Sequence, residues 1–207
     1  MIRCNVCGQD YGVTHVCSGA RPEPATDPRW APASGFAPLR YLRQAVAIAR
    51  WDDAAILAAS QDRAATRYGA VIWLLGQLLY LGTGLWVSRG TIRLGVPELV
   101  AGGLVLVAFQ AVIFLAQYGC CHLLARWLFG GRGTFRGIMR PMLLGSVVIW
   151  ALPIPYVGAL VAALWFLAIM MLVFENVDGI GRLKAFALST TFGVLFTLAS
   201  FALFHPR

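Results

Sequence analysis

A chain of 207 residues with 59% hydrophobic content, a mean hydropathy of +0.71 and only 13% charged residues is too apolar for one water-soluble core. A formal net charge of +8 would suit nucleic acid, but sixteen of the seventeen basic residues are Arg and many flank apolar stretches, a pattern that excludes nucleic acid in favour of lipid headgroups and helix orientation. Residues 68–88, 99–121, 141–174 and, apart from Lys184, 183–204 carry no charge, which predicts an all-α integral membrane protein.

The chain opens on a head, residues 1–20, that holds Cys4, Cys7, His15 and Cys17. Cys4-Asn-Val-Cys7-Gly8 has the form of a tight metal-binding knuckle, in which backbone amides turn toward the first thiolate and Gly relieves the bend. With His15 and Cys17 it makes C-x2-C-x7-H-x-C, and three thiols plus one imidazole are a tetrahedral set that zinc favours. The set is closed, so a structural zinc is expected; a tail with incidental cysteines and a redox C-x-x-C are the alternatives. So short a segment cannot bury a core, and bound metal would be what folds it. The polar opening does not read as a secretory signal peptide.

Residues 21–38, with Pro22, Pro24, Pro28, Pro32 and Pro38, read as an extended linker. From 39 to 67 the sequence turns Ala-rich. Leu39, Leu42, Val46 and Ala49 recur at helical spacing beside Arg40, Arg43 and Arg50, predicting amphipathic interfacial helices or, alternatively, helices packed on the bundle. Asp52 and Asp53 are placed to cap a second helix from Ala54 onward.

Residues 68–204 then hold five expected spans: Tyr68–Ser88, Glu98–Ala125, Ile138–Leu152, Tyr156–Phe174 and Leu183–Phe204. The third and fourth are divided at Pro153-Ile154-Pro155, because two prolines one residue apart each fix φ, remove a donor and disfavour helix before them. Gly84 with Ser88 and Gly158 with Ala162 have the small-x-x-x-small spacing that permits close helix approach in lipid. Cys120 and Cys121 read as packing residues, with lipid attachment as the alternative. Arg and Lys gather before the first span and in the second and fourth loops, so the N-terminus is expected in the cytoplasm and the C-terminus outside. A single Lys against sixteen Arg points to a bacterial inner membrane.

Between the second and third spans runs His122-Leu-Leu-Ala-Arg126-Trp-Leu-Phe-Gly130-Gly131-Arg132-Gly133-Thr134-Phe135-Arg136. His122 and Arg126 share a helix face, the glycines end that helix, and Arg132, Arg136 and Arg140 add cationic heads. These five side chains are the candidate contacts for a lipid headgroup or a partner's carboxylates; the spacing is not that of a nucleotide-phosphate loop, and a plain topogenic basic loop is the alternative.

This run resembles the Yip family, the Ypt/Rab-interacting multi-pass membrane proteins, which have bacterial relatives. The likeness continues through Ile154-Pro155-Tyr156-Val157-Gly158, the Trp165-containing span and Asn176-Val177-Asp178-Gly179-Ile180-Gly181-Arg182-Leu183-Lys184-Ala185, covering about Phe36 to Phe204 and leaving out the cysteine head. Bacterial relatives often show His and Ser where this chain has Asp178 and Gly181. The resemblance implies five transmembrane helices, a cytoplasmic N-terminus and, in eukaryotic members, work in vesicle trafficking and membrane shaping through protein partners; it carries over no catalytic residue.

The expected function is therefore a non-enzymatic membrane scaffold or adaptor that meets the bilayer and a protein partner or a second copy of itself. The runner-up is a passive small-molecule or lipid transporter or channel, its path lined by Gln77, Gln110, Gln117, Thr190 and Thr191. The three histidines, at 15, 122 and 205, are scattered, and Glu175 and Asp178 read as the surface end of the fourth span, with Asp178 expected to pair with Arg182.

Overall fold

The computed structural model describes residues 2–3, 10–11, 27–31, 35–88, 95–154 and 157–204. In the head, the two-residue strands β1 (Ile2–Arg3) and β2 (Asp10–Tyr11) pair antiparallel, Ile2 opposite Tyr11 and Arg3 opposite Asp10. The rest is helical: α1 (Pro38–Ala49), α2 (Asp53–Gln61), α3 (Ala64–Ser88), α4 (Val96–Phe129), α5 (Phe135–Gly145), α6 (Gly158–Val173) and α7 (Arg182–Phe204). A 3-10 turn, Ser146–Ala151, extends α5, and a π-helical turn, Phe174–Asp178, extends α6.

Among the described residues three helices are long and apolar enough to cross a membrane: Ala64–Leu85, Pro97–Phe129 and Leu160–Asp178. They fall on the first, second and fourth expected spans. The third differs. With 11 residues, α5 is well short of the ~20 needed to cross. It is instead the hub of the core, its Ile138, Met142 and Leu144 fully buried between α1, α2 and α3. The chain breaks after Ala151, where the prolines are, and restarts at Gly158, packed back against the 3-10 turn.

Packing is concentrated at one end of the long helices, where α1 and α2 close over α5. Asp52 caps α2 as expected, accepting from the Ala55 amide at 3.1 Å. In α1 the face that packs is Tyr41, Gln44, Ala45 and Ile48, all buried, whereas Leu39 is 69% and Val46 39% exposed. The alternative reading, a helix packed on the bundle, thus describes one face of α1. The helix has two apolar faces, one shaped by small and flat residues that fit against α5, and the Leu39/Val46 stripe is left outward beside exposed Arg43 and Arg50. Of the two small-residue spacings, Gly158 does mark a close approach, since a Cβ there would run into the Ala151 carbonyl oxygen and lie 3.0 Å from that of Leu152. Nothing lies near Gly84, but a Cβ on Gly69 would sit 2.7 Å from that of Leu143, so Gly69 lets α3 and α5 meet.

At the opposite extreme stands α4. None of its most apolar stretch is buried, against 22% for α3 and 33% for α6. An apolar surface of that size is unsuited to water and belongs to lipid or to another protein.

Candidate functional site

The basic loop is built on a helix stop. Gly130 adopts a left-handed φ of 70°, a conformation that costs a side chain about 1 kcal/mol, and α4 ends there with the Gly131 amide on the Ala125 carbonyl at 2.9 Å. The loop restarts helix at Thr134, whose Oγ1 accepts from the Gly137 amide at 3.1 Å and caps α5.

What holds the loop in place is Asp178, 1% exposed at the end of the π-helical turn. Its Oδ1 accepts from the Gly133 amide at 3.0 Å, and its carbonyl accepts from the Arg132 amide at 2.9 Å. His122, 7% exposed, faces the same oxygen from α4, Nδ1 to Oδ1 at 3.6 Å. That separation permits an ion pair but is beyond a hydrogen bond, and His122 Nδ1 and Asp178 Oδ2 are buried without hydrogen-bond partners among the described residues. A Cβ at Gly133 would lie 2.5 Å from Asp178 Oδ1, so only glycine admits the carboxylate so close. The ends of α4 and α6 and the start of α5 are thus tied at one buried carboxylate.

This overturns the expected pairing of Asp178 with Arg182. Arg182 instead binds Glu175, Nε to Oε2 at 2.9 Å, on the exposed side. The π-helical turn and the left-handed Gly179 interrupt α-helical spacing between positions 178 and 182, so the carboxylate faces inward.

The five candidate contacts separate accordingly. His122 is internal and turned from the surface. Arg126, Arg132 and Arg136 are exposed, and Arg140 is half-buried, its Nη1 donating to the Ser60 carbonyl at 2.7 Å. Cys121 is buried and Cys120 exposed, both as free thiols.

A second polar network was not foreseen. The Tyr41 hydroxyl donates to Asp62 Oδ2 at 2.6 Å, Arg40 lies 3.8 Å from the same oxygen, and Tyr41 stacks on Tyr68 with centroids 4.2 Å apart. Burial, reinforced by the Asp62 carboxylate, pushes the Tyr41 phenol up to about 12. Arg40 reaches the Trp30 carbonyl at 2.7 Å and Tyr68 receives the Ala37 amide at 3.0 Å, fastening the linker to the bundle. The signal was an Asp just ahead of a span with a Tyr 21 residues earlier, too distant to link by local spacing.

Of the expected polar path, Gln77, Gln110 and Gln117 do converge, on a cavity of about 430 Å³ between α3, α4, α6 and α7 that also exposes Trp73, Phe114 and Tyr118. None of the three amides hydrogen-bonds another described residue. Thr190 and Thr191 do not line it.

Cys4, Cys7, His15 and Cys17 lie outside the described residues. Among the described residues no group of three or more His, Cys, Asp or Glu could hold a metal. Comparison with family models, with curated proteins and with solved structures finds no match for the chain.

Proposed function

We propose that this chain is a non-enzymatic multi-pass membrane scaffold of the Yip-like type, organising membrane partners or lipids through a rigid basic rim, with a zinc-knuckle head carried on the proline-rich linker. The observation that carries the reading is the Asp178 knot, which fixes the loop and leaves Arg126, Arg132 and Arg136 exposed at the best-packed end of three apolar helices. In this reading the rim faces the cytoplasm, and α5 with its 3-10 extension and α7 complete a five-span topology.

The test is crosslinking of the tagged chain in its own membranes followed by mass spectrometry, set against a variant lacking residues 1–36. Recurrent protein partners that vanish with the head support an adaptor. Recovery of this chain and lipid alone rejects a head-directed adaptor and favours the lipid-handling or channel reading.

One observation favours the runner-up. Amides without partners in a hydrocarbon setting are costly, so three amides on one cavity with no hydrogen bond to another described residue suit a hydrated path or a passing polar molecule. Liposome flux that falls when Gln77, Gln110 and Gln117 are changed to Leu would establish a passive transporter, and flux equal to protein-free liposomes would dismiss one.

A further inference from the structure

We infer that the pocket framed by Arg63, Arg136 and Arg140 binds the phosphate of an anionic phospholipid, whose acyl chain lies along Leu115 and Leu143. The pocket has a volume of about 520 Å³ and opens between the start of α3, the C-terminal half of α4 and α5. Arg136 and Arg140 are four residues apart and share a face of α5; Arg63 joins them from the α2–α3 connection.

Three guanidinium groups here have no acidic partner among the described residues. The adjacent acid, Asp62, is 7% exposed and committed to Tyr41 at 2.6 Å and Arg40 at 3.8 Å. Arg140 is anchored through Nη1 on Ser60, while its Nε is buried without a hydrogen-bond partner. Like charges gathered in this way repel, and a bound anion with several oxygens relieves the repulsion and uses the free donors.

The other wall decides the source of the phosphate. Leu115, Phe135 and Leu143 line the same pocket, and Leu115 is itself 51% exposed on an α4 surface that no described residue covers. A free phosphate would use only the arginines. A phospholipid arriving sideways from the bilayer uses both, and basic pockets between helices at this level are where anionic headgroups settle.

The inference rests on the membrane-embedded reading, and the experiment separates the two. Membranes carrying the full chain are washed with alkaline carbonate, then the protein is moved into nanodiscs of mixed phosphatidylglycerol and phosphatidylcholine and its retained lipids are weighed by native mass spectrometry. Release by carbonate overturns the membrane reading and this site with it. Retention with a phosphatidylglycerol preference that is lost in Arg63→Gln/Arg136→Gln, a pair that leaves the Arg140–Ser60 anchor intact, supports the site. Taking roughly fivefold per arginine near an anionic surface, the pair weakens the preference about twenty-five-fold. Equal retention of both lipids, an unchanged preference in the double variant, or displacement of the lipid by excess inorganic phosphate overturns the lipid site alone.

Discussion

The indole nitrogen of Trp165 donates to the Ala49 carbonyl at 2.6 Å, so the last carbonyl of the amphipathic α1 is tied to the side of the apolar α6. Trp51 stacks on the same ring at 5.3 Å while holding a left-handed φ of 67°, a strain a non-glycine side chain sustains only where its contact compensates. Trp165→Phe removes the hydrogen bond and part of the stack. It is expected to cost about 1–2 kcal/mol, read as a lowered Tm in detergent, with Trp51 fluorescence shifting to that of a more exposed indole.

The knot around Asp178 makes a sharper prediction. His122→Ala leaves the buried Asp178 carboxyl with one amide donor and no facing imidazole, and the loss is expected at about 1–3 kcal/mol. His122→Ala/Asp178→Ala should lose less than the sum of the two single variants, because no unpartnered carboxyl is left behind. Thermal melts of the four proteins form the cycle, and strict additivity would mean that the two side chains do not interact.

Glycine substitutions separate contact from composition. Gly133→Ala drives a methyl into Asp178 Oδ1 and the Val177 carbonyl, and an expected loss of about 1–3 kcal/mol would show as a lower Tm and faster proteolysis of the loop. Gly84→Ala meets nothing within 4 Å and should be neutral or, at about 1 kcal/mol of helix propensity, stabilising.

The long helices were legible because a membrane filters composition: charge-free stretches of sufficient length have few other uses, and their ends agree with α3, α4 and α6 to within a few residues. The α2 cap was legible because its chemistry is local. What failed was anything decided between elements. Helical spacing singles out Leu39, Leu42, Val46 and Ala49 as the apolar stripe of α1, whereas packing against α5 buries Tyr41, Ala45 and Ile48. Asp178 was assigned to Arg182 by helical spacing, which a single π-helical turn invalidates. The glutamines were noticed as polar positions inside spans, but their meeting on one cavity depends on how α3 and α4 rotate.

The Tyr41–Asp62 pair sets an alkaline limit. The folded chain holds the Tyr41 proton more tightly than the unfolded one, whose phenol has the ordinary value of 10.0, so this contribution is complete below pH 10 and is lost as pH rises toward about 12. Two pH units amount to at most on the order of 3 kcal/mol. Tm measured against pH should fall across that window in the parent chain and fall less in Tyr41→Phe, which has nothing to deprotonate.

If the head is a zinc knuckle, the purified, reduced chain carries one zinc, detectable by elemental analysis and lost in Cys7→Ser but not in His122→Ala. Stoichiometric free thiols at Cys4, Cys7 and Cys17 without metal would reject it.

The isolation of α4 has a mechanical consequence. Its 34 residues make a rod of about 51 Å, against a hydrocarbon slab of about 30 Å. Such a rod in a bilayer leans steeply or thickens the lipid around it, and its packing inside the protein, through Tyr118, Cys121, His122 and Ala125, is confined to its C-terminal half. In a bilayer, the tilt of such a rod would be borne at its C-terminal end by the His122–Asp178 tie.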